Sequence, residues 1–246
     1  MGEISEYYKI PVANIAEVSG LLKANIGEII GITMPSVLGP FRFEVVTAEA
    51  DNFQLPIYDG GNYDFHVDWG DESSDDIIAW NDAAANHAYA GADTYNVVIT
   101  GTLVGWRFNK DGDKDLIHDI SEWGVLDVGN LEAYFYGCSN LTISATGSMN
   151  CPDTTTFKNG FNGCTSLTSI PSGLFDNCTL VTSFFFCFAV CSGINTDLPV
   201  NLILHNVEID DCAHMFNDCS NMTGDGTAFV DQAETHGVTT HNNCFT

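Results

Sequence analysis

Asn109, Asp111, Asp113 and Asp115 place an oxygen-bearing side chain at every second position. Hard divalent cations bind oxygen ligands, so this run reads as half of a calcium loop. Gly112 stands at the wrong place in it, however, and no bidentate Glu closes it. The plainer reading is a solvated turn of mutually repelling carboxylates. Asp71, Glu72, Asp75 and Asp76 form a second acidic candidate. Cys212 and His214 with Cys219, and His236 and His241 with Cys244, carry zinc-ligand chemistry but lack paired C-x-x-C spacing. The chain has no G-x-S-x-G elbow, phosphate loop, G-x-G-x-x-G fingerprint or H-E-x-x-H helix, and no carboxylate pair stands out for glycoside hydrolysis. The expectation is a non-enzymatic protein without a cofactor, with calcium at 109–115 the leading cation candidate.

Charge narrows the partners. The 246 residues carry 33 Asp and Glu against 7 Lys and Arg, a net charge of −26. Such a surface repels phosphate backbones and anionic lipids, which argues against nucleic acid as a ligand. No apolar run is long enough to span a bilayer, and Met1–Glu6 has neither a basic start nor an apolar h-region. The expected routes are therefore the cytoplasm, a signal-free exit such as a virus particle, or a signal lying upstream of Met1. Trp80, Trp106, Trp123, Tyr134 and Tyr136 are the candidate surface anchors. Trp106 and Trp123 are expected in the core. Tyr134 and Tyr136 flank an inward Phe135, so at least one of them should face out. Three sequons, at Asn140, Asn177 and Asn221, read as polar repeat positions.

The elements that would position these groups fall into three segments. In residues 1–40, Ala13-Asn14-Ile15-Ala16-Glu17-Val18 recurs eleven residues later as Ala24-Asn25-Ile26-Gly27-Glu28-Ile29. Gly20, Gly27 and Gly31 punctuate the pair too often for a stable helix. We read it as an arm that buries Ile15, Val18, Ile26, Ile29 and Ile30 against a partner, closed by a linker ending at Pro40. Residues 41–126 read as β-structure, because Phe41–Val46 and Tyr63–Trp69 alternate and Tyr95–Thr100 is a clear third strand. Short strands between turn signals suggest a sandwich.

Residues 127–246 form a repeat array. Phe135-x-x-Cys138 returns as Phe161-x-x-Cys164, Phe188-x-x-Cys191 and Phe216-x-x-Cys219, with the cysteines 26, 27 and 28 residues apart. Leu141, Leu167, Ile194 and Met222 follow three residues after each Cys. Leu131, Phe157, Phe184 and Cys212 precede each Phe by four. Leu131, Phe135 and Cys138 at i, i+4, i+7 predict about two helical turns per unit, followed by a short strand at Leu141 and Ile143. No unit buries its apolar face alone, so neighbours must stack. All nine cysteines lie at or beyond position 138, and the odd count argues against a complete disulfide framework; the expectation is buried free thiols, the alternative one or more bridges among Cys151, Cys178, Cys187 and the ladder.

Two of these segments resemble known families. Val67-Asp68-Trp69-Gly70-Asp71, His87-Ala88-Tyr89 and Gly91-Ala92-Asp93-Thr94-Tyr95 resemble the PKD-like, Ig-type β-sandwich, with Glu72 where its turn has a second Gly. The resemblance implies that these residues hold the fold, the Asp accepting turn N–H bonds and the Tyr packing at a sheet corner. Phe161-Asn162-Gly163-Cys164-Thr165-Ser166-Leu167-Thr168-Ser169-Ile170-Pro171 resembles the BspA-like leucine-rich repeats of bacterial and viral surface proteins. The N-terminal tandem resembles short repeats near the N-termini of phage virion proteins. The fold class expected is mainly β: an arm (1–40), a PKD-like sandwich (41–126) and a leucine-rich-repeat solenoid with short helical turns (127–246). The function expected is a phage virion surface protein, of head-fibre, decoration or tail-fibre type. Its partners would be other virion proteins through residues 1–40 and a host-surface glycan or protein, and it would self-associate. The alternative expectation is a bacterial cell-surface adhesin or interaction module.

Overall fold

The computed structural model describes residues 38–199, 201–223 and 226–235, which belong to one compact unit. The N-terminal tandem, with Ile15, Val18, Ile26, Ile29 and Ile30, lies outside the described residues, as do His236, His241 and Cys244.

The described part is mainly β. Strand β1 (Phe41–Thr47) buries Phe41, Phe43 and Val45 on one face. Strand β3 (Asn62–Asp68) does the same with Tyr63, Phe65 and Val67. Each such ring contributes roughly 2 kcal/mol of apolar burial. Between them runs β6 (Asp93–Val104), antiparallel to both. With β4 (Ser74–Ile77), β7 (Ile117–Glu122), β8 (Leu126–Asp127) and β9 (Thr142–Ile143), these make a seven-stranded sheet. Its order is β4-β3-β6-β1-β7-β9, and β8 pairs parallel with the end of β6. Gly101 in β6 has φ +113°, and a Cβ there would stand 2.5 Å from the Asp64 carbonyl oxygen, so only glycine lets the two strands meet.

The second layer is small. β2 (Asp51–Gln54) and β5 (Asn86–Tyr89) form a two-stranded ribbon, with Phe53 on Phe43 at 5.9 Å between ring centres. Trp106 covers the rest of β1, 5.2 Å from Phe41 and 5.6 Å from Phe43.

The Trp69–Gly70–Asp71 turn ties the layers together. The Asp68 carboxylate accepts the Gly70 N–H at 3.0 Å, and Asp71 accepts the Ser73 N–H at 3.0 Å. Tyr89 donates its hydroxyl to the Trp69 carbonyl at 3.0 Å, and His87 stacks on the Trp69 indole at 4.6 Å. Glu72 takes φ +72°, the left-handed backbone that a glycine adopts freely.

Beyond β8 the chain repeats. The rings of Phe135, Phe161, Phe188 and Phe216 stack in sequence with centres 5.2, 5.2 and 5.8 Å apart and planes within 9°. Backbone bonds join each unit to the next. Phe157, Asn159, Phe161 and Gly163 donate their N–H groups to Ser183, Phe185, Cys187 and Ala189 at 2.8, 3.0, 2.8 and 2.8 Å. Phe184, Phe186, Phe188 and Val190 repeat the pattern onto Asp211, Ala213, Met215 and Asn217. The ladder starts inside the 41–126 segment, where Phe108 and Lys110 donate to Tyr134 and Tyr136. It ends under helix α1 (Thr227–Thr235), whose Phe229 sits edge-on to Phe216 at 5.3 Å.

Two expectations are corrected here. The units contain tight turns rather than helical turns, because Ala133, Asn159, Phe186 and His214 have φ between +53° and +56°. A left-handed residue stops a right-handed helix, and the N–H groups a helix would use point at the neighbouring unit instead. Among the described residues a strand follows only in the first unit, as β9, which pairs parallel with β7. Later units show isolated bridges at Thr156–Ser183 and Ser183–Asp211. Leu131 is also not inward. It is 46% exposed, while Phe157, Phe184 and Cys212 are fully buried. In the first unit Glu132 joins Ala133 in the left-handed region, which turns Leu131 outward. Tyr134 fills the core, buried against Phe157 at 5.3 Å.

Candidate functional site

The sequence-derived ladder is one physical object. Phe135, Phe161, Phe188, Phe216, Cys138, Cys164, Cys191, Leu141, Leu167 and Ile194 are buried, as is Cys219 at its margin, and Met222 packs half-buried against them. The cysteines make a second contact. Cys164, Cys191 and Cys219 donate S–H to the carbonyls of Phe135, Phe161 and Phe188 in the preceding unit, at 3.3, 3.1 and 3.0 Å. Burial pushes the thiols of Cys138, Cys164 and Cys191 well above the ordinary range, and that of Cys219 up to about 11. The eight described cysteines are buried and form no disulfide, and the thiols of Cys138, Cys164, Cys191 and Cys219, held protonated by burial, are poor nucleophiles.

The acidic run does not converge. Asn109 accepts from the Arg107 guanidinium at 3.1 Å, and Asp111 from the Gly112 N–H at 2.9 Å. Asp113 accepts the Gln54 N–H at 2.7 Å, and Asp115 the Ser139 hydroxyl at 2.8 Å. Each side chain serves a different neighbour: Asn109 and Asp111 bond within the 105–115 segment, while Asp113 fastens it to the ribbon and Asp115 to the first unit. The second acidic candidate also divides: Asp71 holds His87 at 2.8 Å, Asp75 accepts the Trp69 indole N–H at 2.9 Å, and Asp76 meets His66 at 2.7 Å. Among the described residues no group of three or more His, Cys, Asp or Glu is placed to hold a metal.

The aromatics sort cleanly. Trp106 and Trp123 are buried, and Trp123 packs edge-on against the side of the ring column, 6.1 Å from Phe135 and 6.4 Å from Phe161. Tyr134 is buried and Tyr136 is half-buried, its ring centre 5.3 Å from the Lys110 ammonium. Trp80 is 44% exposed.

Two clefts remain. The first, about 520 Å³, lies where the 58–62 loop faces the first repeat, between Tyr58, Asn62, Asp127, Asn130, Leu131 and Asp153. Burial, and then Asp153, raises the Asp127 carboxyl, against the Gly129 N–H that it accepts at 2.9 Å. Burial and then Asp127 raise the Tyr58 phenol. The lining carries carboxylates without a basic side chain, so it favours cationic or neutral ligands over anions. It holds no nucleophile beside a base, the arrangement covalent catalysis needs. The second cleft, about 490 Å³, sits at the ribbon's end between Gln54, Ile57, Trp80, Asn81, Asp82 and Asn86. Of all these residues only Trp80 and Leu131 stood out in the sequence, Leu131 as an expected core position. The others come from separated segments, and no spacing rule unites them.

No protein-family model matches the chain, no curated protein matches it, and no solved structure matches it.

Proposed function

We propose that this chain is a non-enzymatic surface module of a phage virion: a PKD-like sandwich carrying a BspA-like solenoid that displays a binding surface. The observation that carries the reading is the phenylalanine column, which meets Trp106 at its first ring, is flanked by Trp123 and is closed by Phe229. Such a column makes a rigid projecting body, which is what a fibre or decoration protein presents. Three further observations support it. The His87, Tyr89 and Asp71 contacts hold the turn in the manner the PKD-like motif implies. The buried free thiols suit assembly in a reducing cytoplasm without a secretory passage. The clefts suit binding rather than bond breaking.

In this reading residues 1–40 dock to other virion proteins, and copies of the chain associate on the particle. Mass spectrometry of purified particles tests it: the chain is expected as a stoichiometric component, and its absence overturns the reading. The bacterial adhesin alternative draws on the Phe161–Pro171 pattern. It is favoured instead if the source genome encodes a secretion signal directly upstream of Met1.

A further inference from the structure

We propose that the cleft beside Trp80 is a carbohydrate site that takes a neutral sugar ring stacked on the indole and hydrogen-bonded by the Gln54, Asn81 and Asn86 amides. The inference rests on the surface-module reading and names the ligand class for one of its surfaces.

Trp80 departs from every other tryptophan in the chain. Trp69, Trp106 and Trp123 are 0%, 0% and 2% exposed, whereas Trp80 is 44% exposed beside a concave surface. Ile78, two residues earlier, is 72% exposed. An exposed indole is a flat apolar platform with one N–H donor, and the C–H face of a pyranose is its complement.

The polar groups match the rest of such a ring. A side-chain amide donates and accepts in one plane, which suits adjacent hydroxyls. The Asn81 and Asn86 amides make no hydrogen bond among the described residues. Gln54 commits its Nε2 to the Leu55 and Ala85 carbonyls at 3.3 and 3.2 Å, so its Oε1 is held in place as an acceptor. Asp82 spends one oxygen on the Ala84 N–H at 3.1 Å, capping the 3-10 turn Ala83–Ala85, and keeps the other.

The frame is rigid as well. Gln54 pairs with Asn86 across the ribbon, and both flank the capped turn. Preorganised groups lose little entropy on binding. No Lys or Arg lines the cleft, and the chain's charge of −26 opposes acidic sugars. A volume of about 490 Å³ falls within the range of small-ligand sites.

The experiment uses the full chain on an array of neutral and sialylated oligosaccharides, followed by calorimetry with the strongest neutral binder. Neutral glycans are expected to be retained and sialylated ones not. Trp80→Ala is expected to lower affinity on the order of tenfold to thirtyfold, with Trp80→Phe intermediate and both variants melting with the wild type. Trp80 alone among the tryptophans meets solvent, so the bound oligosaccharide should shield the acrylamide-quenchable emission in the wild type and not in Trp80→Phe. No retention of any glycan, equal retention by Trp80→Ala, or preference for sialylated glycans overturns the proposal. Particles that contain the chain while the array stays blank separate this failure from failure of the surface-module reading.

Discussion

The Cys164 thiol donates to the Phe135 carbonyl one unit back, at 3.3 Å, and the same oxygen accepts the Cys138 N–H at 3.1 Å. Sulfur is therefore both filler and donor, which explains why Cys recurs where Ala or Val would be apolar enough. Cys164→Ala is expected to cost about 1–2 kcal/mol, from the hole and the lost bond. Cys164→Val should cost more, since a second methyl overfills the column. Thiol titration with a disulfide reagent checks the chemistry. The eight described thiols should stay silent in the native protein and react once guanidinium unfolds it. Fast native reaction at those positions would show that the column opens.

Phe161 stands between two parallel neighbours, 5.2 Å from Phe135 and 5.2 Å from Phe188. Removing the ring takes contacts from both units. Phe161→Ala should destabilise by roughly 3–5 kcal/mol, and Phe161→Leu by less. A double-mutant cycle with Phe188 should return a coupling of about 0.5–1.5 kcal/mol. Urea unfolding measures both, and an additive cycle would show that the rings do not support one another.

The column was legible in the sequence because one ring and one sulfur return at nearly constant spacing, and a stacked array turns that spacing into contact. The backbone carrying it was not. Periodicity at i, i+4, i+7 reports which side chains are buried, and a turn ladder buries the same ones as a helix. The difference lies in left-handed residues, and Phe186, Val190 and His214 give no sign of being left-handed. Leu131 failed for a related reason: its unit begins with two left-handed residues, Glu132 and Ala133. Strands β1 and β3 were legible by alternation and β6 as a clear strand run, whereas β8 and β9 are two-residue pairings set by tertiary structure. Trp80 was visible as an aromatic, but the amides around it were not.

Val190 occupies the place of Gly137 and Gly163 in the repeat. All three have positive φ, at +60°, +84° and +77°. A β-branched residue pays most in that region, by crowding its own carbonyl. Val190→Gly is expected to stabilise by about 1 kcal/mol, since relief of strain exceeds the added freedom of the unfolded chain. Gly163→Ala should destabilise by a similar amount, although a Cβ there would meet nothing closer than 3.6 Å. Thermal unfolding of the two variants should therefore move in opposite directions. The same argument predicts that Glu72→Gly raises the melting temperature.

Asp127 and Asp115 should respond oppositely to pH. Burial, then Asp153, raises the Asp127 carboxyl, so the folded state holds that proton more tightly than the unfolded chain does. Its contribution to stability is present at low pH and is lost as pH rises through the raised value. Asp127→Asn keeps an acceptor for the Gly129 N–H and removes the charge. It should raise the melting temperature at pH 7, with the advantage shrinking as the wild type protonates in acid. Asp115 is lowered, first by its bond to the Lys114 ammonium and further by Ser139, while burial opposes both. Its contribution is present above the ordinary carboxylate range and is lost as pH falls through the lowered value. Asp115→Asn should therefore lower the melting temperature at pH 7 and converge with the wild type in acid. Scanning calorimetry of both variants between pH 3 and pH 8, roughly the span that brackets carboxylate titration, reads the two signs directly. Curves parallel to the wild type across that span would show that neither carboxyl differs between the folded and unfolded chain.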